Sequence, residues 1–174
     1  MLIMDNNKNT IYLVTTASFI YIWSTLLWQY FNGGIEAHYL LHNKDLPRIS
    51  NAWGGIVLPL ITYVLMNLIY KRTPVSKYVW WQATAAFIYG VILSITFSMG
   101  LTAISSMLAP LIFAIAIFVP IYKPQFILGF ILSMSFTFGT ILPAIFATVF
   151  ALSGWVIYKL VRFVWSKLTA TKQA

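Results

Sequence analysis

Two histidines and three acidic residues are all that this chain offers for metal or acid–base chemistry, and most of them lie in one stretch. Residues 33–48, GGIEAHYLLHNKDLPR, hold Glu36, His38, His42 and Asp45. A short helix over residues 35–44, ended by Pro47, would put His38 and His42 at i and i+4 and Asp45 at i+7 on one face. Two imidazoles and a carboxylate so placed suit zinc or another borderline divalent metal with an open position, where bound water is activated for hydrolysis. Glu36 points away from that face and joins it only if the turn after Gly33-Gly34 bends back. The glutamate that gives H-E-x-x-H its mechanism is missing, because Tyr39 follows His38. A competing reading outweighs the metal site: a solvated interfacial turn of helix, with Asp45 paired to Arg48 or Lys44 at little net energy. Since imidazole titrates near physiological pH, a pH-responsive loop is a third reading. No cofactor is expected, and zinc is the ion the spacing would suit. Ser50-Asn51, just beyond, reads as the N-cap of the helix that follows.

The rest of the chain determines where that stretch sits. Of 174 residues, 60% are hydrophobic and 8% charged, cysteine is absent, and the mean hydropathy is +0.84. A soluble domain carries about 25% charged residues, so that class is excluded and the chain reads as an all-α integral membrane protein. Without cysteine there is no disulfide framework, thiol chemistry or cysteine zinc site. The net charge of +8 reads as the positive-inside bias rather than as a nucleic-acid footprint.

Apolar runs at about residues 11–31, 52–70, 79–98, 103–121, 126–139 and 141–163 predict six transmembrane helices in a single polytopic domain. Six spans place Lys8, Lys71, Arg72, Lys77, Lys123, Lys159, Arg162, Lys167 and Lys172 on one side, so both termini are expected in the cytoplasm and the loop 32–51 outside the cell (inner) membrane. Trp28, Tyr30 and Trp53 then form an outer aromatic belt, and Tyr70, Tyr78, Trp80, Trp81, Tyr122 and Tyr158 an inner one. The basic tail from Ser166 is expected to fray against anionic lipid.

Self-comparison suggests three parallel-repeat helical hairpins. FIYGVILSITFSMG at residues 87–100 and FILGFILSMSFTFG at 126–139 are identical at eight of fourteen positions, followed in each copy by P-x-I-F-A and then I-Y-K. Phe19-Ile20-Tyr21, Pro59-Leu60-Ile61 and Ile69-Tyr70-Lys71 make a fainter first copy. Gly90, Ser94 and Ser98, and in parallel Gly129, Ser133 and Thr137, recur every fourth residue on one helical face, a helix-packing seam where small side chains let backbones approach. Pro59, Pro110 and Pro143 are expected to kink the even-numbered helices, and two readings stand equal: kinks that together widen an outward vestibule, or incidental kinks whose freed carbonyls are re-satisfied by neighbours.

No Asp, Glu, Lys, Arg or His lies within the first five spans. That argues against proton relays, voltage sensing, haem ligation and intramembrane serine proteolysis. The leading expectation is a non-enzymatic membrane protein that binds or transports a small, mostly apolar or uncharged solute, or is the membrane subunit of a larger transporter. The alternatives are an outward-facing metal-dependent hydrolase or lipid-modifying enzyme built on His38, His42 and Asp45, and a non-catalytic scaffold. Expected partners are the lipid bilayer and other membrane proteins or a second copy of the chain, not nucleic acid.

Overall fold

The computed structural model describes residues 2–39, 45, 47–72 and 77–171. Among them are six α-helices: α1 (Leu2–Phe31), α2 (Gly54–Arg72), α3 (Lys77–Ser98), α4 (Thr102–Phe118), α5 (Pro124–Phe138) and α6 (Ile141–Thr171). Between α1 and α2 two short strands, β1 (Ala37–Tyr39) and β2 (Arg48–Ser50), pair antiparallel with His38 opposite Ile49, and a 3-10 turn, Asn51–Trp53, leads into α2.

Four helical stretches, residues 7–31, 51–71, 77–98 and 141–169, are long and apolar enough to cross a membrane. The other two apolar helices are shorter. At about 1.5 Å per residue, α4 reaches about 25 Å and α5 about 22 Å, against about 30 Å of hydrocarbon. The outside of the bundle is apolar: Leu13 and Phe31 on α1, Ile56 and Leu60 on α2, Leu111 and Phe118 on α4, and Val149 and Leu152 on α6 are all exposed. Water penalises such a surface by about 25 cal/mol per Å², whereas lipid solvates it without cost.

The helices run up and down. The β-hairpin end gathers His38 of β1 with Phe97 of α3, Phe138 of α5 and Leu142 of α6. The opposite end carries Lys71, Lys77, Lys123 and Lys159 and is called the basic end below. α5 is the hub: Leu128, Phe130, Ile131 and Met134 are buried, in one cluster with Ile22 of α1 and Leu58, Met66 and Ile69 of α2.

Small residues explain how α3 approaches α5 so closely. A β-carbon added at Gly129 would lie 2.1 Å from the Ala83 carbonyl oxygen, and one added at Gly90 would lie 2.0 Å from Ser133 Oγ. Gln82 meets Gln125, Gly90 meets Ser133 and Phe97 meets Phe138, so the two helices run parallel. α4 and α6 are also parallel, through Phe113 against Phe150 and Ala116 against Gly154. The two hairpins with matching sequences therefore lie side by side. Ser94 is buried, Thr137 half-buried and Ser98 exposed.

Several expectations are corrected. Residues 37–39 form a strand and not part of a helix, because Gly33 and Gly34 take left-handed φ values of 119° and 100° that turn the chain back on α1. Buried Gln29 holds the turn: its carbonyl accepts from Gly34 N at 2.9 Å and its Oε1 from Glu36 N at 3.4 Å. Helix α1 begins at Leu2 and α6 continues to Thr171, so the segment from Ser166 to Thr171 is helical rather than frayed. Pro143 is the third residue of α6, where an amide donor has no intrahelical partner in any case; only Pro59 and Pro110 sit inside a helix. Ser50 does cap, its Oγ accepting from Ala52 N at 3.2 Å ahead of the 3-10 turn.

Candidate functional site

Helices α3 and α4 are tied at the hairpin end and splay toward the basic end. The Ser105 hydroxyl donates to Thr96 Oγ1 at 3.2 Å, and the Tyr89 hydroxyl donates to the Leu108 carbonyl, about two turns further down α3 and one turn along α4. Below that tie α4 leans on α6, where Gly154 leaves room for Ile121 and Ala116, while α3 leans on α5. A groove of about 440 Å³ remains between the two parallel pairs. It is within the usual range of small-molecule sites, about 300 to 1,000 Å³.

Its walls follow from the sequence of each helix. α3 presents Tyr78, Trp81, Gln82, Ala85, Ala86 and Tyr89; α4 presents Ile112 and Ile115, with Val119 just beyond its end; α5 and α6 complete it with Phe126, Phe130, Ala147 and Phe150 among others. The spacing of 78, 81/82, 85/86 and 89 is one helical face. Alanines at 85, 86 and 147 make the space, and the aromatic rings bound it. Phe150 is packed edge-to-face by both Phe113 and Phe130 at 5.6 and 5.8 Å, which fixes the back wall.

Among the described residues lining the groove none is charged, and the side-chain polar groups are Tyr78, Trp81, Gln82 and Tyr89. Gln82 stands out. Gln125, 2% exposed at the start of α5, donates its Nε2 to Gln82 Oε1 at 2.7 Å. That bond engages the Gln82 carbonyl oxygen and not its NH₂ group, and Gln82 is itself a lining residue of the groove. The arrangement suits an apolar molecule bearing a hydrogen-bond acceptor. It contains no nucleophile with a base beside it, the constellation covalent catalysis needs.

A smaller cavity of about 210 Å³ lies at the hairpin end. His38 and Tyr39 cover it from β1, above Leu93, Phe97, Met134, Phe138 and Phe146. The strand period of two brings Glu36 and His38 to the same side, with Glu36 Oε2 and His38 Nε2 3.6 Å apart, and Nε2 is buried without a hydrogen-bond partner. Asp45 is exposed, and His42 lies outside the described residues. With His38 on a strand, the helical spacing that aligned His38, His42 and Asp45 on one face does not operate. Among the described residues no group of three His, Cys, Asp or Glu side chains has metal-binding geometry.

Gln82 and Gln125 carry no charge and so do not stand out among the ionisable groups of the sequence. The signal was available: an amide inside an otherwise apolar run is costly in lipid unless it finds a partner. Tyr78 and Trp81 fit an aromatic belt in the sequence and line the groove in the structure, since periodicity does not distinguish a ring facing headgroups from one on a groove wall.

No protein-family model, curated protein or solved structure matches this chain.

Proposed function

We propose that this is a six-span protein of the cell membrane, with both termini on the inner side, that binds a small, mostly apolar or uncharged molecule in the groove between α3, α4, α5 and α6. The groove carries this reading: it is preformed, walled by rigid aromatic side chains, and empty of charge. Six crossings are supported by the alternation of the helices and by the basic residues collecting at one end. The short α5 is compatible with crossing because its neighbours sheathe it, so its own ends need not meet water. Binding at a groove between two like hairpins agrees with the placing of sites at repeat interfaces in transporters, and passage of the molecule across the membrane is the extension of this reading.

The test is thermal stabilisation of the purified protein by a panel of uncharged apolar compounds. A ligand at one hundred times its Kd adds about 2.7 kcal/mol. Ala86→Trp and Ala147→Trp, which fill the groove, are expected to abolish the shift. A panel that stabilises neither the wild type nor any variant, or shifts that survive both tryptophans, would overturn the proposal.

A further inference from the structure

The groove is largely apolar: the Tyr89 hydroxyl at its closed end is already engaged by the Leu108 carbonyl, and the other polar lining groups, Tyr78, Trp81 and Gln82, lie toward the basic end. Lys77 opens α3 immediately before the lining residue Tyr78, and Lys123 follows the lining residue Ile121 by two positions, so each lysine lies within two residues of a lining position, at the basic end. Gln82 lies five residues further along α3, about 7 Å deeper at 1.5 Å per residue. Beyond it Ala85, Ala86, Ile115 and Phe130 offer only apolar contact.

Gln82 restricts the occupant. Its Oε1 is taken by Gln125, and among the described residues its Nε2 has no recorded acceptor. A ligand made only of hydrocarbon would strip water from this NH₂ and leave its donors unpaired, at a cost of about 1 to 3 kcal/mol that a ligand bearing an acceptor avoids. An occupant that fits brings an acceptor to that depth and an apolar portion below it inside the uncharged groove, while a charged headgroup outside the groove would suit the two lysines.

A glycerophospholipid has that order: phosphate, then ester carbonyl, then acyl chain. We propose that the groove takes one acyl chain of an anionic glycerophospholipid from the leaflet at the basic end, with Gln82 Nε2 donating to its ester carbonyl and Lys77 and Lys123 flanking its phosphate. The chain enters where α3 and α4 splay and continues along the open side into the bilayer, since the Tyr89 to Leu108 hydrogen bond closes the groove above. Gln125 is a positioning residue, holding the Gln82 amide in one orientation. The assignment rests on the groove being the binding site, as proposed above.

Photolabelling tests it with the full chain in vesicles. The probe is phosphatidylglycerol carrying a diazirine in the upper part of one acyl chain, compared with its ether-linked analogue, which lacks the carbonyl, and with phosphatidylcholine bearing the same diazirine. Ester phosphatidylglycerol is expected to label peptides containing Ala86 and Ile115. Labelling should fall about fivefold for the ether analogue, the loss of one hydrogen bond of about 1 kcal/mol. It should fall similarly in Gln82→Met, whose side chain keeps the volume without the donors, and should be weaker for phosphatidylcholine. Equal labelling by ester and ether lipids, with Gln82→Met unchanged, would overturn the carbonyl assignment while the groove still bound a chain. Equal labelling by phosphatidylcholine would overturn the phosphate assignment. Labelling that persists in Ala86→Trp would instead remove the groove as the site. If Gln82→Met does not fold, the ester–ether comparison on the wild type decides alone.

Discussion

The two glycines at the α3–α5 seam should respond unequally to alanine, although the sequence presents them as equivalent. At Gly129 the new β-carbon would lie 2.1 Å from the Ala83 carbonyl oxygen and 3.0 Å from Phe87 N, both backbone atoms that no rotamer change can move. Relief requires the helices to separate until that contact nears the 3.4 Å of ordinary van der Waals contact. A gap of about 0.5 to 1 Å already forfeits a quarter to a half of the dispersion well along a seam. Overpacking costs about 1 to 3 kcal/mol and here falls at the upper end. Alanine's better helix propensity returns about 1 kcal/mol, so Gly129→Ala should lose about 2 kcal/mol. At Gly90 the obstacle is Ser133 Oγ, the end of a rotatable side chain, with Ser133 Cβ and Met134 Cγ at 3.2 and 3.3 Å. Ser133 can swing away at the cost of its bond to the Phe130 carbonyl, about 1 kcal/mol, which the propensity gain offsets. Gly90→Ala should therefore lie within about 1 kcal/mol of the wild type. Denaturation in mixed micelles of increasing dodecyl sulfate fraction, followed by tryptophan fluorescence, measures both. A Gly129→Ala chain as stable as the wild type, or a Gly90→Ala chain the weaker of the two, would refute the parallel seam.

Other predictions follow from single contacts. Gly139 has φ +67° and its β-carbon position is 2.2 Å from Asn51 Oδ1, so Gly139→Ala should lose about 1 to 3 kcal/mol, measured by the same denaturation; an unchanged midpoint would contradict the α5–α6 turn. Gln125→Leu removes one interhelical hydrogen bond in lipid and should cost about 0.6 kcal/mol, up to about 1.7, with no change in the α-helical circular dichroism; a neutral effect would show that the Gln82 pairing does not form. Because His38 lies on a strand, purified protein should carry no stoichiometric zinc and keep its melting temperature in chelator; zinc at one per chain, lost in His38→Ala, would restore the metal reading. The absence of cysteine makes topology direct to measure: a single cysteine in place of exposed Ile35 should react with a membrane-impermeant maleimide from outside whole cells and one at Ser166 only after lysis, and the reverse pattern would invert the orientation.

Much of the helical layout was legible because lipid demands long apolar runs and the charges mark their ends. Ser50 announced its cap by residue type and position. The loop was misread because H-x3-H fits a helix on paper, whereas the paired Gly33-Gly34 and the clamp by Gln29 favour a turn into a strand. Helix ends were drawn short at Leu2 and Thr171, since hydropathy measures where apolar character stops and not where backbone hydrogen bonding does. The seam shows a subtler gap. In the repeat Gly90 corresponds to Gly129, but in space Gly90 faces Ser133 and Gly129 fits between Ala83 and Phe87, one turn out of step. A shared motif fixes which face packs and leaves the register to volume. The groove was illegible for the same reason: Ala85, Ala86 and Ala147 look like any apolar residue until the splay of α3 from α4 turns their small size into space.

Native mass spectrometry of the protein extracted from its own membranes tests the groove most directly. One non-covalently bound apolar or amphipathic molecule per chain should survive mild extraction in the wild type and in Leu13→Trp, on the outer surface of α1, and be missing from Ala86→Trp. Protein that retains nothing, or retains the same molecules whether or not the groove is filled, would contradict a binding site between α3, α4, α5 and α6.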